Sequence, residues 1–510
     1  MRQHRTRNLF SCNGVSEHVL YPLTKPPAKS SPIKVLFTVP DGSHAAILLH
    51  TSLLDALLEG QGIEWHFLTP RPRYLHKALQ EKCPRNSSLY VLDWPAEHLT
   101  FADRHLQYLK QELWRMRSLS DYHDVLYSRL RTIEPKRYWF HRPLAKLIGC
   151  VPGIGPLLER IEFFLPIEYW IRILRSLAPT VVVLGSAGLK LPEIPVARAA
   201  YRLRIPMYGI VPSWDNLTTK GPLARGIARL SAWSPLMARE ATRFHDFRSD
   251  SIDITGPPSF DRHFRRWTEQ DRTQFFRRLG LDVHRRLLTY TSVPASTCPH
   301  SAAYARLLAT MVRDNVFQQP CQLLVRLHPQ DRFDNYRALQ QYSHVHVDMP
   351  GEYLRATSGN SAILDYAPTP WDMDKYSLTL ACSDVVINLA STVTLEACAF
   401  DKPVINVAFH CSPNHKCDIV GYYDLPHYRP VTQSKAVRIC YNEAELIRCI
   451  NDYLSNRARD SEYRRQLYSL YDPFADGCAS ARLGRAIVRF VRHCSASRKI
   501  HCNVADKRGQ

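Results

Sequence analysis

Residues 383–409 read SDVVINLASTVTLEACAFDKPVINVAF. The run Val385–Leu389 has the length and β-branched content of a buried strand. Three small residues, Ala390, Ser391 and Thr392, turn the chain into a helical stretch, and Asp401-Lys402-Pro403 leads into a second buried strand, Val404–Ala408. Strand, turn, helix and strand in that order form the repeating unit of a parallel sheet. Ser391 or Thr392 can cap the helix, whose N–H groups and dipole would favour an anion above the sheet. Glu396 follows about one turn later, where a carboxylate can accept hydrogen bonds from a ribose diol. The plainer alternative is an ordinary capped helix with Glu396 in solvent.

Upstream, the apolar strand QLLV runs directly into Arg326-Leu327-His328-Pro329. Ligands of doubly wound sheets bind beyond the carboxyl ends of the strands. His328 therefore falls at the end of the sheet where Ser391 also falls. Around these two motifs the second half repeats the same pattern, with strands expected at Leu287–Ser292, Gln322–Leu327 and Val345–Asp348. The first half has its own series at Ile33–Val39, Glu64–Leu68, Leu89–Leu92, Thr180–Leu184, Pro206–Val211 and Leu230–Trp233. The two series meet at Ile252–Phe264 (DITGPPSFDRHF), where a strand ends in Gly and two prolines and a charged segment begins.

The chain of 510 residues is long enough for two such domains. We expect an α/β protein with an N-terminal domain over 32–258, a C-terminal domain over 259–492, a disordered basic arm over 1–31 and a disordered tail over 493–510. Residues from about 95 to 176 break the strand rhythm with long amphipathic helical text mixing Arg and Lys with Trp, Phe and Leu. That insertion either packs on its domain or rests on a membrane interface.

The charge balance, 67 Lys+Arg against 47 Asp+Glu, gives +20 and favours anionic partners. Nucleotide phosphates, an anionic membrane and nucleic acid all qualify, but aromatics do not interleave with basic clusters as in nucleic-acid modules. The 14 cysteines form no CxxC pair, and the N-terminus lacks the apolar segment of a signal peptide. These features predict reduced thiols in a cytoplasmic protein. The cluster His410, Cys411, His415 and Cys417 fits no standard zinc spacing, so no metal is expected. No apolar run reaches the ~20 residues of a membrane span. No GxxxxGK[ST] or glycine-rich dinucleotide loop occurs, which argues against P-loop and dehydrogenase chemistry.

A His-Pro motif after one strand and a Ser-Thr motif after a later one resembles GT-B transferases that use cytidine nucleotides: the CDP-glycerol glycerophosphotransferases and several bacterial sialyltransferases. The S-T-x-T-x-E-A-x-x-x-x-K-P-V string is similar to the UDP-sugar half of other GT-B enzymes and of the non-hydrolysing UDP-N-acetylglucosamine 2-epimerases. The resemblance covers most of 287–410 and, more loosely, 206–260. It implies two doubly wound domains with a cleft between them and a closing helix. It implies donor phosphates on His328, Ser391 and Thr392, with a ribose on Glu396; Arg326 and Pro329, beside His328, are counted with the donor-binding residues. Asn388-Leu389-Ala390-Ser391-Thr392 departs from the Asp-Tyr-Ser-Ser turn of the glycerophosphotransferases and weakens CDP-glycerol as the donor.

Two loops of the first half offer an acceptor side. In PDGSHAA, His44 follows the first strand, where many inverting GT-B enzymes carry their base, and an imidazole suits proton removal from a hydroxyl. In VPSWDNLTTKGPL, Trp214 could stack on a sugar or base, Asp215 could serve as base, and Asn216 and Lys220 could line the cleft. An Asx turn under a buried Trp is the alternative. Gly185-Ser186-Ala187-Gly188 either lines the cleft or turns the chain, and the Asp476-Gly477 region is either a crossover to the first domain or a plain cap. The expected activity is metal-independent transfer of a glycosyl or glycerophosphoryl group from a CDP- or UDP-linked donor to a glycan or lipid-linked hydroxyl, without a cofactor. The alternative is UDP-sugar 2-epimerisation.

Overall fold

The structure, a computed structural model, describes residues 21–22, 32–84, 86, 88–94, 101–118, 137–151, 153–294, 297–353, 366–411 and 420–508. Its strands in chain order are β1 (Tyr21–Pro22), β2 (Ile33–Thr38), β3 (Ile63–Thr69), β4 (Leu89–Asp93), β5 (Val181–Leu184), β6 (Met207–Ile210), β7 (Ile227–Ala232) and β8 (Ile252–Ile254). The second half adds β9 (Arg286–Thr291), β10 (Cys321–Arg326), β11 (Val345–Asp348), β12 (Glu352–Tyr353), β13 (Tyr366–Ala367), β14 (Val385–Asn388), β15 (Val404–Val407) and β16 (Arg438–Cys440).

β2 to β8 form one parallel sheet in the order β4-β3-β2-β5-β6-β7-β8, edged by the antiparallel β1. The second sheet, β11-β10-β9-β14-β15-β16, is parallel throughout. Both sheets reverse winding once, between β2 and β5 in the first and between β9 and β14 in the second. Strands such as Val181–Leu184 are apolar at every position because helices cover both faces. This is the two-domain doubly wound GT-B architecture that the sequence pattern predicts. β8 is the strand expected just before Gly256 and the two prolines; β16 was not expected, being three residues long and charged, so that it shows no apolar run.

The chain crosses to the second domain through Gly256, Pro257 and the 3-10 segment Pro258–Phe264. It returns after Asp476-Gly477 in the helix Ala479–Arg508. Asp261 of the first crossover accepts hydrogen bonds from the Ala479 and Ser480 amides of the second, both at 2.9 Å, tying the two passages together. Leu483, Ile487 and Val491 of this last helix sit in the core of the first domain with Val35, Leu54 and Leu57. The stretch 493–508, expected as a disordered tail, continues that helix. Of the basic arm only Tyr21–Pro22 is described. The insertion contributes helices Phe101–Ser118, Arg142–Gly149, Ile154–Phe164 and Glu168–Leu177. No helix among the described residues is long and apolar enough to cross a membrane.

Candidate functional site

Crevices of doubly wound sheets form where winding reverses, because the loops there part to opposite faces. In the second domain the reversal opens beside β9. Arg326 of β10 pairs with Thr291 of β9, and Ile387 of β14 pairs with the preceding Tyr290, so Asn388 is level with both. His328 leaves β10 two residues past that level and Ser391 leaves β14 three residues past it. The two lie at the same end of the sheet on strands flanking β9, two strand spacings or about 10 Å apart.

The His328 amide donates to Ser292 Oγ at 2.9 Å, and Ser292 Oγ donates to Asp331 at 2.8 Å, which fixes the loop. His328 Nδ1 accepts the Gln330 amide at 3.1 Å. That bond leaves the imidazole proton on Nε2. Burial pushes the His328 pKa down to about 4, so the ring is a neutral Nε2–H donor at neutral pH.

At the neighbouring strand end, Asn388 Oδ1 accepts from the Ser391 amide (3.2 Å), Thr394 Oγ1 (3.2 Å) and Asn406 Nδ2 (2.8 Å). Tyr428 closes this buried network by donating to Asn406 Oδ1 at 2.8 Å. The turn needs Ala390 in the left-handed region, at φ 42°. Thr392 stands at the N-cap but makes no side-chain capping bond; Ser391 Oγ accepts the Val393 amide instead, at 3.4 Å. Asn388, which the sequence reading gave no role, thus holds the Ser391 turn. Its signal was a polar residue ending an apolar strand.

In the first domain the reversal lies between β2 and β5, and its loops carry His44 and Gly185–Gly188. Asp41 caps the helix Gly42–His50 through the Ser43 and His44 amides. Its Oδ1 also accepts from His44 Nδ1 at 2.7 Å, and its Oδ2 meets Lys190 Nζ at 2.9 Å. Burial alone would raise the Asp41 pKa, but the His44 and Lys190 charges and hydrogen bonds outweigh it and hold the carboxyl well below the usual range. An Nδ1–H facing Asp41 leaves His44 Nε2 with the lone pair, and that atom is buried without a hydrogen-bond partner. A carboxylate behind the imidazole is the arrangement that orients a general base and stabilises it once protonated. Asp41, missed in the sequence, was legible as an N-cap three residues before the histidine.

The Gly185–Gly188 turn is held from beneath rather than left free. Glu193 is fully buried and accepts from the Ser186 and Gly188 amides, from Ser186 Oγ and from Thr38 Oγ1. Gly185 lets the turn close: a Cβ there would lie 2.5 Å from Thr38 O and 3.3 Å from the His44 ring.

The carboxyl ends of the two sheets face each other across two bridges. On one side the first helix meets β13, where a Cβ on Gly42 would come 2.2 Å from Tyr366 O, and His50 Nε2 and Tyr74 Oη both donate to Pro368 O (3.0 and 2.9 Å). On the other side Trp214 packs against His427, Tyr428 and Tyr471, with ring centroids 5.0–5.3 Å apart. His44 stands with the first bridge, and the Ser391 turn is tied through Thr394 and Tyr428 to the second.

Several expected roles are corrected. Trp214 is buried in the interdomain contact and has no free face for a sugar or base. Asp215 accepts from Ser213 Oγ (2.7 Å) and Asn216 Nδ2 (3.2 Å) and pairs with Lys220 (3.0 Å). Burial alone would raise its pKa; the charges of Lys220 and His427 and the Ser213 hydroxyl outweigh that and set it well below the ordinary range. So weak a proton acceptor is a poor general base. Asn216 Oδ1 accepts the Ser213 amide three residues back at 3.1 Å, so its side chain holds the loop rather than lining a cleft. Arg326 is buried and bound to Asp348 and, at 2.7 Å, to Asp372, with Lys375 2.6 Å from Asp348. Its charge is consumed by the core. Glu396 is engaged by His263 Nε2 at 3.0 Å, so a ribose would compete with that histidine. Of the Cys-His cluster, His415 and Cys417 lie outside the described residues.

An open depression of about 540 Å³ lies instead under the insertion, lined by Lys110, Arg198, Arg202 and Arg225. Lys110, Arg198 and Arg225 are already paired with Glu162, Asp103 and Glu159, so it offers little to an anion.

No family model and no curated protein matches the chain. Solved structures do. The UDP-GlcNAc 2-epimerase of Neisseria meningitidis bound to UDP-GlcNAc superposes with TM-score 0.51 at 12% identity, covering 90% of this chain and 100% of that one. A second UDP-N-acetylglucosamine 2-epimerase gives 0.50 at 12% identity over 91% and 97%. MnaA of S. aureus with UDP gives 0.51 at 9% identity over 90% and 97%. At these identities the likeness is one of fold, and it extends over both domains: the chain has the GT-B fold.

Proposed function

We propose that the chain is a nucleotide-sugar enzyme of the GT-B kind that transfers a glycosyl or glycerophosphoryl group to an acceptor hydroxyl. One observation carries the reading: the Ser391–Thr392 turn leaves β14 at the winding reversal and His328 leaves β10 on the other side of β9, both at the carboxyl end of the sheet, the end turned toward the first domain. Neutral His328 donates from Nε2 to a phosphate oxygen, and the Ser391–Thr392 hydroxyls add donors beside it. His44, oriented by Asp41, takes the proton of the attacking hydroxyl through Nε2, and the Asp41 carboxylate stabilises the resulting imidazolium. The acceptor reaches that nitrogen when the two bridges part, the domain motion usual for such clefts.

Thermal unfolding with CDP, UDP, CMP and GDP tests the site directly. A nucleotide held at ~100 times its dissociation constant adds about 2.7 kcal/mol, and the His328→Ala/Ser391→Ala chain should show no such gain. Equal stabilisation of both chains would sink the site.

A second reading, 2-epimerisation of a UDP-sugar, is favoured by the end-to-end superposition on UDP-GlcNAc 2-epimerases. Incubation with UDP-GlcNAc alone separates the two, because an epimerase needs no acceptor and a transferase gives no epimer.

A further inference from the structure

The helices of the insertion carry apolar residues on the wrong side. Among the described residues, nine of the seventeen large apolar side chains left exposed fall between Trp139 and Phe164. Ile154 and Leu158 of the helix Ile154–Phe164 face inward, packing with Leu113 and Ala145. The outward positions of the same helix are Leu157, Ile161 and Phe164, spaced at helical period and all exposed. The preceding helical stretch does the same: Ala145 is turned in, while Phe140, Leu144, Leu147 and Val151 form an outward stripe beside Trp139. Leu147 is 74% exposed and Phe164 72%. A solvated helix fills such positions with charged residues. Here both stripes point away from the one helix, Phe101–Ser118, on which both segments pack.

We infer that this face docks on an anionic lipid bilayer, lying in the interface without crossing it. The charge around this face selects that partner. Lys146 and Arg160 are exposed within the stripes, and Arg172 and Arg175 are exposed on the next helix. Of the acids in this stretch, Glu162 is buried against Gln107 and Lys110, Glu159 is paired with Arg225, and Glu168 is exposed at the start of the helix that carries Arg172 and Arg175, so cations still outnumber solvent-facing acids. The whole chain carries +20. Apolar side chains ringed by cations match the acyl boundary and phosphates of an acidic membrane surface. A second copy of the chain is a poor match, because face-to-face association would bring the same cations together. The depth and aromatic content of the face, with Trp139, Phe140, Phe163 and Phe164, suit the headgroup region. The same insertion touches the cleft: Arg115 Nη2 donates to Thr219 O at 3.1 Å in the loop after Trp214. Docking would thus hold the cleft close to the bilayer surface.

Co-sedimentation of the full chain with phosphatidylglycerol-containing vesicles, beside pure phosphatidylcholine vesicles, tests the inference without nucleotide. The chain should pellet with the anionic vesicles and be released as salt rises. Leu147→Ser/Phe164→Ser should weaken partitioning at least about tenfold while leaving thermal unfolding unchanged. Lys146→Glu/Arg160→Glu should weaken it on anionic vesicles alone. A wild-type chain that stays in the supernatant overturns the inference, as does an apolar double variant that binds undiminished. So does a wild-type dimer that the apolar variant dissolves while neither binds vesicles, which would make the face a self-association surface. The His328→Ala chain, impaired only in nucleotide binding, should pellet like wild type, so failure of the nucleotide site and failure of this face are told apart.

Discussion

His328 should recognise phosphate as a neutral hydrogen-bond donor, not as a cation, and the two modes differ measurably. The Gln330 amide occupies Nδ1 at 3.1 Å, and burial places the ring's pKa at about 4. At pH 6 a pKa of 4 leaves about 1% of the ring protonated. If a bound diphosphate restored the ordinary value of about 6.5, binding at pH 6 would take up about three-quarters of a proton, and affinity would rise about fourfold from pH 8 to pH 6. Protonation would cost the Gln330 bond, so we expect uptake below about 0.1 proton and a flat profile. Titration calorimetry with a nucleotide diphospho-sugar in buffers of different ionisation enthalpy measures this, since phosphodiesters do not titrate in that range. A hydrogen bond to a charged oxygen contributes about 1.5–3 kcal/mol, so His328→Ala should lose roughly 10- to 150-fold in affinity. His328→Gln, which keeps an N–H donor of similar reach, should retain most of it. Uptake of most of a proton, or a glutamine variant as weak as the alanine one, would refute the neutral-donor argument.

Three further outcomes follow from the geometry. Asp41→Asn keeps the shape of the capping residue but removes the charge behind His44, so turnover should fall 10²–10⁴-fold with donor affinity unchanged in calorimetry; unchanged turnover would exclude His44 as the base. Arg326→Met strands Asp348 and Asp372 in the core and should cost about 3–5 kcal/mol in urea unfolding, whereas a ligand-binding arginine would show a normal midpoint and lost affinity. His66, His245 and His427 are each pushed by burial to about 4. The unfolded chain takes up these protons near pH 6.5 and the folded chain only near pH 4, so stability is full above 6.5 and declines as pH falls. Each imidazole forfeits up to about 2 kcal/mol by pH 5, which denaturation midpoints at pH 7.5 and 5.0 will register.

Much of the fold was written in local pattern. The buried strands and the small-residue turn after Val385–Asn388 announce parallel units wherever they occur, and Gly-Pro-Pro at 256–258 marks the domain crossover. The strand ends also place His328, Ser391 and His44 beyond the carboxyl ends of their sheets, because that placement follows from chain direction alone. What sequence could not show was competition for polar groups. Arg326 after a strand looks like a phosphate ligand until Asp348 and Asp372, 22 and 46 residues on, are found against it. Trp214 looks like a stacking platform until the rings of His427, Tyr428 and Tyr471 close over it. Such partners are distant in the chain, and only the packed structure brings them together. Asp41 is the reverse case: its role was local and available, but a helix cap and a base-orienting carboxylate carry the same spelling.

The last helix has a consequence for how the molecule is made. Leu483, Ile487 and Val491 complete the core of the first domain, yet they follow the strands of the second domain in the chain. Gly484 sits so tightly on Ala56 that a Cβ would come within 2.5 Å of its methyl group. Until the chain has passed through the second domain, the first therefore lacks the helix that covers Leu53–Leu58. A stop codon between Gly477 and Leu483 would leave the second domain's sequence whole and still strip the first domain of its final wall.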